Sequence, residues 1–140
     1  MLQLKVCGMR DTANIAELIK VQVNFIGFIF HESSSRNIIN VPNIEIPKNI
    51  KKVGVFVNKA ESFIIDKINS FGLDFVQLHG TETPSFCAAL KTNNVKIIKA
   101  FNVSDEFSFD DLKSYESFCD YFLFDAYGEK AGGNGIVFNW

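Results

Sequence analysis

Cys7 closes the run Lys5-Val6-Cys7-Gly8, and the two-residue period of a strand sets Lys5 and Cys7 on one face, opposite Leu4 and Val6. A thiolate is the basic form of cysteine, and a cationic lysine on the same face would support it. A lone free cysteine is more often a small buried hydrophobe, so Cys7 alone is a weak signal. Asp125 ends the apolar run Tyr121-Phe122-Leu123-Phe124, where a partly desolvated carboxyl could serve as a proton donor. Its competing role is a cap on local backbone. His79, in Val76-Gln77-Leu78-His79-Gly80, sits where it could orient or hydrogen-bond a substrate, a structural histidine being the alternative. Arg36 follows Ser33-Ser34-Ser35 and offers a bidentate fork for a carboxylate, although a single loop arginine is most often solvent-exposed. The glycine-rich run from Gly128 through Gly132 and Gly133 to Gly135 lacks the lysine-serine or lysine-threonine pair of a Walker loop, so a lid or a backbone contact fits it better.

Elements that would position these residues follow from the hydrophobic pattern. Apolar runs at 2–6, 25–30, 52–57, 75–78, 96–101 and 121–124 read as strands, several of them apolar on both faces as buried parallel strands are. Helical period lies between them. Ile15, Leu18 and Ile19 follow Asp11, and Ile64, Ile68 and Phe71 follow Asn58, with Glu61 three residues on as in a capping box. Thr83-Pro84 starts a further helix, and Ser108 with Asp111 resembles a capping box before Leu112 and Tyr115. The stretch 38–50, carrying Pro42 and Pro47, is the weakest helix candidate, with an irregular connection as the alternative.

Strand starts recur roughly every 24 residues, the rhythm of β/α units. A doubly wound open sheet would be complete at this length, whereas an eight-stranded barrel needs at least about 200 residues. The strand ends favour the barrel, because Cys7, His31, Asn58, His79, Asn102 and Asp125 each follow a strand. A barrel gathers all such ends at one mouth, and an open sheet gathers ligands mainly at one switch point. The expected fold is therefore α/β, a parallel (β/α)8 barrel of which this single domain, residues 1–140, holds about six units without strands seven and eight.

Composition narrows the partners. Hydrophobic residues make up 47% of the chain, and 14 basic against 16 acidic side chains leave a net charge of −2 with no basic block. Nucleic acid is excluded as an expected partner, as is a membrane, since no apolar run approaches a spanning length and no signal-peptide pattern opens the chain. A soluble, cytoplasmic protein with reduced thiols is expected, because Cys7, Cys87 and Cys119 are odd in number and spaced for neither a disulfide framework nor a zinc site.

Taken jointly, several stretches resemble the phosphoribosylanthranilate isomerases of tryptophan biosynthesis. They are Lys5-Val6-Cys7-Gly8-Met9-Arg10, Gly27-Phe28-Ile29-Phe30, Ser34-Ser35-Arg36, Val53-Gly54-Val55-Phe56, Val76-Gln77-Leu78-His79-Gly80, Phe124-Asp125, and Gly132-Gly133-Asn134-Gly135 running to Phe138-Asn139-Trp140. They occur in the family's order and span nearly the whole chain. The resemblance implies a barrel, an Amadori rearrangement of N-(5-phosphoribosyl)anthranilate without metal or organic cofactor, Cys7 as general base, Asp125 as general acid, and Arg36 on the anthranilate carboxylate. The partner it implies is that small phosphosugar-anthranilate substrate, with monomer and homodimer both open. Ser35 stands where the family usually has proline, and Asn134 and Asn139 where it usually has threonine and aspartate. The family also holds phosphate with the loops after strands seven and eight. A competing expectation is thus a catalytically silent fragment, whose open outer strands would promote self-association.

Overall fold

The computed structural model describes residues 2–104 and 107–126. In chain order the elements are β1 (Lys5–Cys7), α1 (Thr12–Ile19), β2 (Phe25–Ile29), β3 (Lys51–Phe56), α2 (Glu61–Phe71), β4 (Phe75–Leu78), α3 (Pro84–Lys91), β5 (Lys96–Val103), a 3₁₀ helix (Phe109–Ser114) and β6 (Tyr121–Ala126). All pairings are parallel, and the six strands lie in the sheet in sequence order, each beside its chain neighbours. No reversal of strand order, the mark of a doubly wound sheet, occurs among the described residues.

The sheet is strongly curled. Neighbouring strands lie about 4.8 Å apart, so in a flat sheet β2 and β6, four steps apart, would be separated by about 19 Å. The Phe25 and Tyr121 rings on those strands instead stand 6.4 Å apart, and Phe75 of β4 is 5.9 Å from Tyr121. Such distances require the strands to bend round a common interior, as in a partial barrel. The interior holds Val53, Phe75 and Ile98 with Phe25 and Leu123 against them. A larger cluster fills the outer layer, where Ile26, Phe28, Phe56, Val76, Leu78 and Ile97 meet Ile15, Ile64, Phe71, Cys87 and Leu90 from the helices. Each such side chain contributes about 1.5–3 kcal/mol by leaving water.

Most element starts follow the sequence pattern. Asp11 caps α1 through Asn14 N, and Thr83 caps α3 through Phe86 N with Pro84 in the first turn. No helix forms between β2 and β3, where Ile38 and Ile50 are buried and Ile44 and Ile46 pack on the outer core. Other details differ. The first strand starts at Lys5 rather than residue 2, leaving Leu2 and Leu4 exposed, because its pairing with β2 runs from Lys5–Phe25 to Cys7–Gly27. Strands β5 and β6 continue to Val103 and Ala126, so Asn102 and Asp125 lie within the ladder rather than after it. The capping box on α2 is absent: Ala60 is the N-cap, without a side-chain bond. Asn58 instead takes a left-handed conformation, φ 49°, and its Oδ1 accepts from Thr81 N at 2.8 Å. Ser108 caps a 3₁₀ turn through Asp110 N and not an α-helix.

A buried ion pair ties three strand ends together. Lys99 of β5 and Glu82 meet at 3.3 Å, each with a side chain 3% exposed. Glu82 also accepts from Asn58 N at 2.8 Å and Gly80 N at 3.0 Å, while Lys99 donates to Gly80 O at 2.8 Å and Leu78 O at 3.3 Å. These bonds hold the turn that carries His79 against the ends of β3 and β5. Removing one partner leaves a buried charge uncompensated. Glu82→Ala is accordingly expected to lower the unfolding free energy by about 3–5 kcal/mol in urea denaturation.

Candidate active site

At the carboxyl ends of the strands the curled sheet encloses a cavity of about 230 Å³. Lys5 and Cys7 of β1, Ile29 and the following His31, Ser34 and Arg36, Val55 of β3, Gln77 and His79 from the end of β4, and Leu123 and Asp125 of β6 line it. The strand period explains the selection, since Lys5 and Cys7, Gln77 and His79, and Leu123 and Asp125 are each two residues apart and face the same side. Four of the strand-end residues, Cys7, His31, His79 and Asp125, therefore come together. Asn58 and Asn102 do not: Asn58 is spent on the turn at Thr81, and Asn102 is an exposed residue of β5.

Two glycines make room for the site. A Cβ on Gly27 would lie 2.7 Å from Cys7 Sγ, so the sulfur occupies space that any larger residue on β2 would take. Gly8 has φ +84°, and a Cβ there would stand 2.7 Å from Arg36 Cδ. The arginine side chain thus lies over the backbone just after β1, with Nη1 3.4 Å from Cys7 O. Its loop is fastened at two points, by Arg36 N donating to Ser34 Oγ at 3.2 Å and by Arg10 Nη1 donating to Ser35 O at 2.6 Å. Arg36 itself forms no ion pair among the described residues, which leaves its guanidinium available to an anion.

Gln77 is the residue that sequence reasoning missed. It is 3% exposed on the inner face, and its Oε1 accepts from Lys5 Nζ at 2.7 Å across the curled interior. Lys5 is thus engaged with Gln77, not simply set beside Cys7. A polar side chain inside the run Phe75-Val76-Gln77-Leu78, in step with His79, was the available signal. Gln77 Nε2 lies 3.0 Å from His79 Nδ1, and His79 Nε2 lies 3.3 Å from Asp125 Oδ2. The last contact has the distance but not the alignment of a hydrogen bond, and the buried Nε2 has no other partner among the described residues. Cys87 and Cys119 belong to the outer core cluster and do not line this cavity. Gly132 and Gly133 lie outside the described residues.

Burial pushes the His79 imidazole below its ordinary value of 6.5; the Asp125 carboxylate opposes this, and Lys99 and Lys5 reinforce it. A histidine with a depressed folded-state pKa binds its proton less readily folded than unfolded. Its contribution is complete above about 6.5 and is lost as pH falls from there toward the folded value. The stability difference between the protein and its His79→Gln variant should therefore shift against the wild type below about pH 6.5, as read by urea denaturation across pH 5–8.

With this geometry in place, comparison with known proteins is specific. The model of the N-(5'-phosphoribosyl)anthranilate isomerase family matches residues 4–140. A protein of that description from Phocaeicola vulgatus is 40% identical over 137 residues, covering 98% of this chain and 66% of its relative. One from Geobacter sulfurreducens is 37% identical over 145 residues, covering all of this chain and 69% of its relative. Among solved structures, phosphoribosylanthranilate isomerase from Thermotoga maritima superposes with a TM-score of 0.80 at 28% identity, over 97% of this chain and 67% of that one. A structure of such an isomerase with reduced 1-(o-carboxyphenylamino)-1-deoxyribulose 5-phosphate gives 0.76 at 28% identity, over 91% of this chain and 66% of that one. The chain spans about two thirds of the length of the curated relatives it matches. Parallel β/α order, a mouth cavity and a match across nearly every residue agree: the chain belongs to the phosphoribosylanthranilate isomerase family.

Proposed function

We propose that the protein is a cytoplasmic isomerase converting N-(5-phosphoribosyl)anthranilate, an aminoaldose, into the aminoketose 1-(2-carboxyphenylamino)-1-deoxyribulose 5-phosphate in tryptophan biosynthesis, by acid–base chemistry alone. The observation that carries this reading is the convergence on one cavity at the strand ends of a thiol, a carboxyl and an arginine that forms no ion pair among the described residues. Asp125 gives a proton to the furanose ring oxygen as the C1–O bond breaks and a protonated Schiff base forms. Cys7, as thiolate, then takes the proton from the second sugar carbon, and the electron pair left behind neutralises the iminium to give an enolamine. Tautomerisation yields the ketone. The thiol and the carboxylate return to their starting states by proton exchange with water, so the reaction is balanced. Arg36 takes the anthranilate carboxylate, and His79 contributes to substrate binding beside Asp125.

Membership of the family and the reduced carboxyphenylamino-deoxyribulose phosphate held by its structural relative support this substrate. The side-chain roles follow from the chemistry each group offers. Cys7→Ser and Asp125→Asn are each expected to lower kcat by about 10²–10⁴-fold with KM changed little, because each removes a proton-transfer step made in the transition state. Arg36→Ala is expected chiefly to raise KM through loss of a charge-assisted contact. Steady-state assays on N-(5-phosphoribosyl)anthranilate check all three; near-normal turnover in either of the first two removes that residue from the mechanism, and an unchanged KM in the third removes Arg36 from the carboxylate.

A further inference from the structure

The inner face carries a polar chain from β1 to β6 that the acid–base pair alone does not use. Lys5 Nζ donates to Gln77 Oε1 at 2.7 Å, Gln77 Nε2 meets His79 Nδ1 at 3.0 Å, and His79 Nε2 faces Asp125 Oδ2 at 3.3 Å. Its direction is dictated chemically. An ammonium group has donors only, so the Gln77 atom facing Lys5 must be the carbonyl oxygen, and the atom facing His79 must be the amide nitrogen. That nitrogen is a donor, which makes Nδ1 the acceptor and leaves the proton of a neutral imidazole on Nε2. Burial, which keeps His79 below its ordinary pKa, is consistent with the neutral ring.

We infer that Gln77, clamped by Lys5, is a positioning residue that fixes His79 as its Nε2–H tautomer, so that Asp125 accepts at Oδ2 and carries its transferable proton on Oδ1. This rests on the proposed role of Asp125 as general acid. With the opposite tautomer, Nε2 would be a lone pair facing Oδ2 and would draw the acid's proton toward the protein instead of the substrate. With the Nε2–H tautomer, the Oδ1–H bond breaks as an O–H bond forms at the sugar ring oxygen, and the carboxylate left behind keeps an N–H at Oδ2. At 3.3 Å the pair has the distance of that bond without its alignment, and negative charge developing on the carboxylate would draw the N–H toward Oδ2.

The chain has two histidines, His31 and His79, which makes imidazole nitrogen NMR readable after labelling with ¹⁵N-histidine. Signals lost in His79→Gln assign the ring. The groups facing His79 whose titration bears on the reading are Asp125 on β6, Lys5 on β1 and Lys99 on β5. In the unsubstituted protein near neutral pH, His79 is expected to show protonated Nε2 and unprotonated Nδ1. Gln77→Glu replaces the donor with a carboxylate and should move a proton onto Nδ1; Lys5→Met frees the amide to turn and should give a mixture. In the isomerase assay, Gln77→Glu should lower kcat by at least about tenfold with KM within about threefold, since the change is in proton delivery. A purely packing role for Gln77 would leave the tautomer alone. A proton on Nδ1 in the unsubstituted protein, a measurement that needs no variant to fold, overturns the inference. So does a Gln77→Glu protein that keeps the Nε2–H pattern, or one that inverts it with kcat unchanged. If the unsubstituted protein shows the expected pattern but no turnover of the substrate, the isomerase reading and the acid role fall while the tautomer relay stands.

Discussion

Curvature of the parallel sheet is the constraint on which the site depends. Six strands paired in sequence order would, if flat, spread their inner faces over a plane, and side chains on β1, β4 and β6 would be too far apart to act on one small molecule. Bending brings Phe25 within 6.4 Å of Tyr121 at the lower interior, and the same bend brings Lys5 to Gln77 and His79 to Asp125 nearer the mouth. Apolar rings form the floor of the interior and polar groups its rim. This layering follows from one alternation, in which Phe75, Gln77 and His79 step up the same face of β4 and its end.

The bend must also be held where the chain turns. Lys99 and Glu82 stand on the outer side, buried among helices, and bind backbone groups at the ends of β3, β4 and β5. A buried ion pair is rarely a net source of stability compared with apolar packing, because desolvation offsets much of the attraction. Here its value lies in geometry: it satisfies backbone N–H and C=O groups that a sharp turn leaves unpaired, and so sets the position from which His79 enters the cavity. Small residues do the complementary work on the other side. Gly27 leaves space for the Cys7 sulfur, and Gly8 lets the Arg36 side chain cross the backbone, so the thiol and the guanidinium are brought close by what is missing from their neighbours.

The proposed acid–base pair, Cys7 and Asp125, borders a longer polar system. Cys7 lies beside Lys5 in sequence, yet the lysine's hydrogen bond goes to Gln77 on β4. The cation is therefore linked to the Asp125 side of the cavity through an amide and an imidazole. Because every group in the chain has a defined donor or acceptor character, a single charge at one end decides the direction of the whole series.

Much of this was legible in the sequence. Apolar runs, helix caps at Asp11 and Thr83 and the irregular 38–50 connection reflect local energetics, and they appear in the structure close to where the pattern put them. The polar residues at strand ends marked the mouth, and the joint order of short stretches identified the family. Local pattern erred where tertiary partners competed for the same group: Asn58 reads as a helix cap, but the turn at Thr81 takes its oxygen, and Asp125 reads as the residue after a strand, but the β5 ladder extends past it. The sequence by itself determined which side chains share a face, because a strand's period of two is a local property. Only the tertiary structure decided which faces meet, that Lys5 reaches Gln77 and that His79 lies against Asp125, because those contacts depend on the accumulated bend of strands far apart in the chain.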